Sequence, residues 1–201
     1  MINKNEFCKI QTEKHPLSPF FPKNAKILML GSFPPPKIRW KMNFFYPNLQ
    51  NDMWRIFGLV FFDDKNYFLA KDLKSFNEPL IRSFLAKRAI ALWDTAIEAR
   101  RLSGNASDKF LEVVCPINLK AALKKLTECK TIALTGQKAS DILFGIVGAK
   151  EPNIGSFAQV FYAERKLRIY RMPSSSRAYP KSVEEKSEIY AKMFKESGFL
   201  K

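Results

Sequence analysis

The chain reads as an α/β protein, a three-layer sandwich with a central, mainly parallel four-stranded sheet flanked by helices. Three observations predict this class. Four apolar runs have strand length and strand composition: Lys26–Leu30, Ala89–Trp93, Thr131–Thr135 and Leu167–Met172. Helical patterns separate them, and strands alternating with helices imply crossovers that leave the strands parallel. Each run also ends in a polar or glycine-bearing element, namely Gly31-Ser32, Asp94-Thr95, Gly136-Gln137 and Pro173-Ser174-Ser175-Ser176-Arg177.

Taken in order, the first strand is closed by Gly31-Ser32-Phe33-Pro34-Pro35-Pro36. Three prolines cannot donate to a ladder and force an extended, rigid loop. Asn51–Phe62 carries apolar residues at helical spacing, with Asn51 or Asp52 as its cap. Asn77–Lys87 is a shorter helix. Asn118–Cys129 repeats apolar residues at three and four, with Lys120, Lys124, Lys125 and Lys130 on the other face. Gln137–Val147 follows Gly136 directly, and Ser182–Ser197 is a charged closing helix. Gln159–Ala163 and Leu167–Met172, joined by Glu164-Arg165-Lys166, suit a hairpin. The polar segment Arg100–Asp108, which contains Gly104, reads as a surface loop with helix-start chemistry at Ser107 or Asp108. There is no internal repeat or long linker, so a single domain is expected over residues 1–201, with its core over about residues 24–198.

The 201 residues are 46% hydrophobic and 13% aromatic, with phenylalanine in excess at 18 residues. Thirty-four basic against 19 acidic side chains give a net charge of +15. That imbalance points to a polyanionic partner, nucleic acid first and an anionic membrane surface second. Cys8, Cys115 and Cys129 fit neither a disulfide framework nor a metal-ligand set, and read as structural thiols in a reducing compartment. His15, the only histidine, lies in a polar stretch and is expected to be solvated. No apolar stretch approaches membrane-spanning length and no signal-peptide core is present, so a cytoplasmic, nucleoid-associated monomer without membrane contact is expected.

Ligands of open α/β sheets bind at the carboxyl ends of the strands, where the four polar elements would meet. Gly31 permits close approach to the backbone, and the N–H groups of Ser32 and Phe33 can grip a ligand oxygen. Phe44, Phe45, Tyr46 and Trp54 follow. Aromatic rings beside a backbone-lined pocket suit a flat heterocycle, since stacking contributes roughly 1–3 kcal/mol per base. Trp54 and Met53 read instead as core. Asn48 and Asn51 offer amides for a base edge or a water. Pro173–Arg177, with three hydroxyls and free N–H groups, suits a phosphate, which Arg177 can pair. Histidine-based triads, Walker and dinucleotide loops and clustered carboxylates for metal-dependent nuclease chemistry are all missing.

The Gly-x-x-Pro loop, the aromatic-Pro-Asn-Trp segment and the late Met-Pro-Ser-Ser-Ser-Arg loop resemble the uracil-DNA glycosylase superfamily. The likeness is greatest to the mismatch-specific uracil/thymine-DNA glycosylases and the hypoxanthine-DNA glycosylases. Ile90-Ala91-Leu92-Trp93-Asp94 and Ala133-Leu134-Thr135-Gly136-Gln137-Lys138-Ala139 look like that family's middle strands. The resemblance implies a uracil-DNA glycosylase-like fold and base-excision repair. A deaminated base, uracil or hypoxanthine, is flipped out of DNA and its N-glycosidic bond is hydrolysed by a monofunctional enzyme. No metal or cofactor is implied, and the partner is DNA containing a damaged or mismatched base.

Carried over residue by residue, the resemblance makes Gly31, Ser32, Phe33 and Pro34 a base-contacting loop, with Phe44 stacked on the flipped base and Tyr46 and Asn48 beside it. Pro173, Ser174, Ser175, Ser176 and Arg177 would hold DNA, with Arg177 as a wedge. Phe33 stands where several branches place a water-activating Asn or Asp. The hypoxanthine branch relies instead on the asparagine before the tryptophan, which makes Asn51 the catalytic candidate and Asn48 its rival. Tyr46 replaces a histidine, and Met172 stands where the most active uracil branch has one, implying a modest enzyme. The alternatives are a catalytically weak or inactive nucleic-acid-binding protein on the same fold and a nucleoside or nucleotide hydrolase.

Overall fold

Ile27, Leu28, Met29 and Leu30 are wholly buried, as an apolar run without a polar face must be inside a sheet covered on both sides. The computed structural model describes residues 10–103 and 108–200; Cys8, Gly104 and Ser107 lie outside them. The strands are β1 (Glu13–Lys14), β2 (Ile27–Gly31), β3 (Ile90–Asp94), β4 (Ala96–Arg101), β5 (Leu111–Pro116), β6 (Thr131–Thr135), β7 (Phe157–Tyr162) and β8 (Arg165–Met172). The helices are α1 (Met53–Phe62), α2 (Glu78–Lys87), α3 (Leu119–Lys125), α4 (Gln137–Val147) and α5 (Val183–Glu196).

The main sheet has the order β3-β2-β6-β8-β7. Its first four strands are parallel and are the four expected from the sequence. The sheet has five strands rather than four, because the expected hairpin adds β7 antiparallel to β8 at the edge. Its turn is two residues, Ala163 and Glu164, both at positive φ. That is the twist-compatible connection for paired strands, made here without the usual glycine.

A second sheet, β1-β4-β5, was not foreseen. Its strands bury little: Ala96, Ala99 and Leu111 pack on Phe33, while most other positions are half-buried or exposed. Charged sequences such as Ile97-Glu98-Ala99-Arg100-Arg101 therefore lack the apolar signature of a strand. The expected loop at Arg100–Asp108 begins two residues later for that reason, since β4 extends through Arg101.

Helix starts follow the side chains. Asn77 caps Leu80 N–H, Asn118 caps Ala121 N–H, and Ser182 and Glu185 form a reciprocal capping box. α3 stops at Lys125, short of the expected Cys129. There the Arg165 guanidinium donates to the carbonyls of Leu123, Leu126 and Cys129 at 3.3, 2.6 and 3.0 Å, fastening the turn that leaves the helix. Phe57, Phe61, Phe84 and Phe194 join α1, α2 and α5 edge to face, with centroids 4.9–6.0 Å apart. Trp54 and Met53 lie in the core, and Trp54 Nε1 donates to Phe45 O.

Two helical glycines make opposite predictions. The chain folds back after α1 so closely that a methyl on Gly58 would run into the Asp64 carbonyl, whereas Gly145 in α4 faces open space. Gly58→Ala should lower unfolding free energy by about 1–3 kcal/mol, the usual range for overpacking. Gly145→Ala should raise it by about 0.5–1 kcal/mol. Urea titration of the two variants against wild type measures both.

Candidate active site

A cavity of about 750 Å³ opens at the carboxyl ends of the strands, a volume suited to a small organic ligand. Gly31, Asp94 and Thr135, from the ends of β2, β3 and β6, form its floor, and Ser174–Ser176 after β8 close one side. Gly136 and Gln137 do not reach it; Gln137 instead bonds Asp141, Glu151 and Arg171.

Parallel register sets Gly31 directly beside Asp94. A Cβ at Gly31 would collide with Asp94 Oδ1, so the group that approaches this glycine is the carboxylate of the neighbouring strand. Asp94 Oδ2 accepts from His15 Nε2 at 2.8 Å. His15 is not solvated as expected: its side chain is 1% exposed, packed on Trp93 and edge-on to Phe33. β1 brings it there by pairing with β4, and His15 N–H donates to Ile97 O. The histidine lies 79 residues from Asp94 in sequence, on a segment whose composition carries no signal. Asp94 Oδ1 takes no hydrogen bond among the described residues and faces the cavity.

Ser32 and Phe33 keep their N–H groups unpaired among the described residues, while their neighbours are tied down. Gly31 O accepts from Thr95 N–H and Thr95 Oγ1, and Ser32 O accepts from Ala96 N–H. Ser32 Oγ donates to Asp108 at 2.8 Å. Phe33 is buried between the cavity and the small β4–β5 cluster, covering His15. Pro34 lines the cavity, and its carbonyl accepts from Arg101.

Phe45, not Phe44, faces the cavity. Phe44 is 1% exposed, stacked on Trp54 at 6.2 Å with the Arg82 guanidinium 4.0 Å over the ring, so its faces are already covered. The aromatic run ends in this corner with Tyr46 at φ 49°. Tyr46 lines the cavity with its hydroxyl 2.9 Å from Thr135 Oγ1. Burial, and then the Asp94 charge, push its phenol well above the usual tyrosine range, so it stays neutral. Asn48 and Asn51 both line the cavity. Asn48 Oδ1 accepts from Gln50 N–H, and Asn51 Oδ1 from Met53 N–H at the start of α1.

The Pro173–Arg177 loop is largely self-satisfied. Ser174 Oγ accepts from Ser176 N–H and Ser176 Oγ from Ala178 N–H, while Arg177 N–H donates to Gln50 O. These N–H groups are therefore not free for a ligand. Ser175 is buried, and the Pro173 carbonyl accepts from Tyr190 away from the cavity. Asp52, the residue before α1, holds the loop in place. Its carboxylate takes Arg177 Nε at 3.0 Å and Lys186 Nζ at 3.2 Å, with Arg55 at 3.7 Å, and its N–H donates to Ser175 O. Lys186 is fully buried and also donates to Ser176 O.

This cluster predicts an asymmetry. Asp52→Ala strands a fully buried ammonium and should destabilise the protein by about 3–5 kcal/mol. Lys186→Met leaves Asp52 with two arginines and should cost clearly less. Chemical denaturation of both variants checks the order.

No protein-family model and no curated protein matches this chain. Among solved structures, it is similar to the solution NMR structure of a candidate uracil DNA glycosylase from Methanosarcina acetivorans. The two share 21% sequence identity with a TM-score of 0.60, over 92% of this chain and 99% of that one. The chain therefore has that protein's fold, a parallel-rich sheet flanked by helices.

Proposed function

We propose that this chain is a DNA glycosylase that hydrolyses the N-glycosidic bond of a deaminated base, uracil or hypoxanthine, flipped out of DNA. The observation that carries the reading is the cavity floor. Asp94, Ser32, Phe33 and Phe45 all line the cavity, and among the described residues Asp94 Oδ1 and the N–H groups of Ser32 and Phe33 are left without hydrogen-bond partners. An acceptor together with donors matches a base edge that presents an N–H beside a carbonyl, as both uracil and hypoxanthine do. The basic rim residues Arg39 and Arg177, in a chain of net charge +15, suit the flanking phosphates, and the fold likeness supports the same reading.

In this mechanism the base enters against Phe45, and its N–H donates to Asp94 Oδ1, which His15 holds in place from behind. Asn51 orients the attacking water. Its Oδ1 is shared with the Met53 N–H, and its second lone pair accepts from the water while Nδ2 remains a donor. The C1′–N bond breaks with its electron pair leaving on the base, and the Ser32 and Phe33 N–H groups stabilise that anion. Water adds at C1′ and loses its proton to solvent, leaving an abasic site and a base that is reprotonated. The anionic phosphates favour the cationic sugar of the transition state. Tyr46, a neutral phenol bonded to Thr135, shapes the wall and takes no proton.

Phe33 favours the second reading, a DNA-binding protein without turnover, because a phenyl ring orients no water. Duplexes carrying a single uracil or hypoxanthine, cleaved with alkali after incubation, separate the two. Strand scission at either base is expected. Salt-sensitive binding with no scission at stoichiometric protein would establish the second reading.

Asn51→Ala should lower the excision rate about a hundredfold or more with duplex affinity nearly unchanged. His15→Ala should reduce kcat/KM through loss of Asp94 orientation, and His15→Gln, which can still donate to Asp94, should recover part of it. Unchanged single-turnover rates in Asn51→Ala would remove this residue from the mechanism.

A further inference from the structure

Ile38 is 90% exposed, the most exposed large apolar side chain among the described residues. One isoleucine on a surface is ordinary; its mounting and position set this one apart. It stands in the middle of a 3₁₀ turn, Lys37–Arg39, directly after the three prolines. The turn is fastened from several sides. Trp40 Nε1 donates to Pro35 O at 2.7 Å, Arg39 N–H to Pro36 O, Trp40 N–H to Lys37 O, and Lys41 N–H to Pro47 O. Pro34 and Pro35 before it and Arg39 after it line the cavity, so the isoleucine stands at the mouth. Lys37, Arg39 and Lys41 surround it with positive charge. Arg177, which also lines the cavity, has its Nε committed to Asp52.

We propose that Ile38 is the apolar wedge that enters the duplex where the target nucleotide leaves it, with Lys37, Arg39 and Lys41 on the flanking phosphates. The assignment rests on the glycosylase reading of the cavity. Extruding a base opens a gap in the stack, and an apolar side chain on a preformed support fills it without first having to be ordered. A branched side chain with restricted χ1, on a turn preset by proline, meets that requirement. Arg177, tethered to Asp52, stays at the surface as a phosphate contact.

The test compares excision of the same uracil, and the same hypoxanthine, from duplex and from single-stranded oligonucleotides. Ile38→Ala should lower kcat/KM on the duplex about ten- to a hundredfold, the range that corresponds to losing one buried isoleucine. On the single strand, which has no partner strand to fill against, the change should stay within about threefold. Ile38→Leu should restore most duplex activity. Equal losses on both substrates, or no loss on the duplex, overturn the proposal. Thermal unfolding of Ile38→Ala should match wild type, because the side chain supports no packing.

If wild type excises from neither substrate, the glycosylase reading fails by itself. Insertion is then read from a duplex carrying 2-aminopurine. A fluorescence rise on binding that Ile38→Ala abolishes keeps the wedge, and a rise indifferent to that substitution, or none at all, overturns it.

Discussion

The carboxylate of Asp52 is the constraint on which the site is built. It sits just before α1, almost free of solvent, and gathers Lys186 from α5 and Arg177 from the loop after β8, with Arg55 one turn along α1. A buried acid without partners would be strongly unfavourable, as would the fully buried ammonium of Lys186, so neither segment can settle without the other. Both line the cavity, Asn48 and Asn51 from the one and Ser174–Ser176 from the other, and Asn51 pairs with Ser176 where the two segments run side by side. The same contact leaves one carboxylate among three cations, a local excess of positive charge beside the opening.

The floor depends on a second long-range pairing. Parallel register brings the last residue of β2 beside the last residue of β3, and only a glycine admits the Asp94 carboxylate there. His15 takes one oxygen of that carboxylate and directs the other into the cavity. The β1–β4–β5 sheet, which buries little for its own stability, has its clearest consequence here. It carries the histidine to the floor and packs Phe33 over it. The site is thus made of short-range rigidity, in the prolines and serine turns, and of two long-range contacts, Asp52 with Lys186 and Arg177, and Asp94 with His15.

Much of the frame was legible in the residues. Strands that are buried on both faces must be apolar throughout, so β2, β3, β6 and β8 show themselves as runs, and asparagine and serine caps mark where α2, α3 and α5 begin. The strands β4 and β5 do not, because a ribbon with Arg100, Arg101 and Glu112 at half-exposed or exposed positions keeps a polar sequence. The gathering of Gly31, Tyr46, Asn51 and Ser174–Ser176 around one cavity was also legible, since strand ends in a parallel sheet point to one edge.

Local chemistry along the chain therefore settles where the buried strands and the capped helices form, which edge carries the cavity and which loops are stiff, because periodicity, capping and proline act over a few residues. Three features of the site required the folded molecule. Phe45 rather than Phe44 faces the cavity, because Arg82 and Trp54 already cover the Phe44 ring. Ser176 and Ala178 spend their N–H groups on the loop's own hydroxyls and Arg177 spends its own on Gln50 O, so three of the donors there are already taken. His15 and Asp94 meet across 79 residues. Side-chain direction and charge pairing are settled by what packs against a residue from elsewhere in the chain, and no local pattern encodes that.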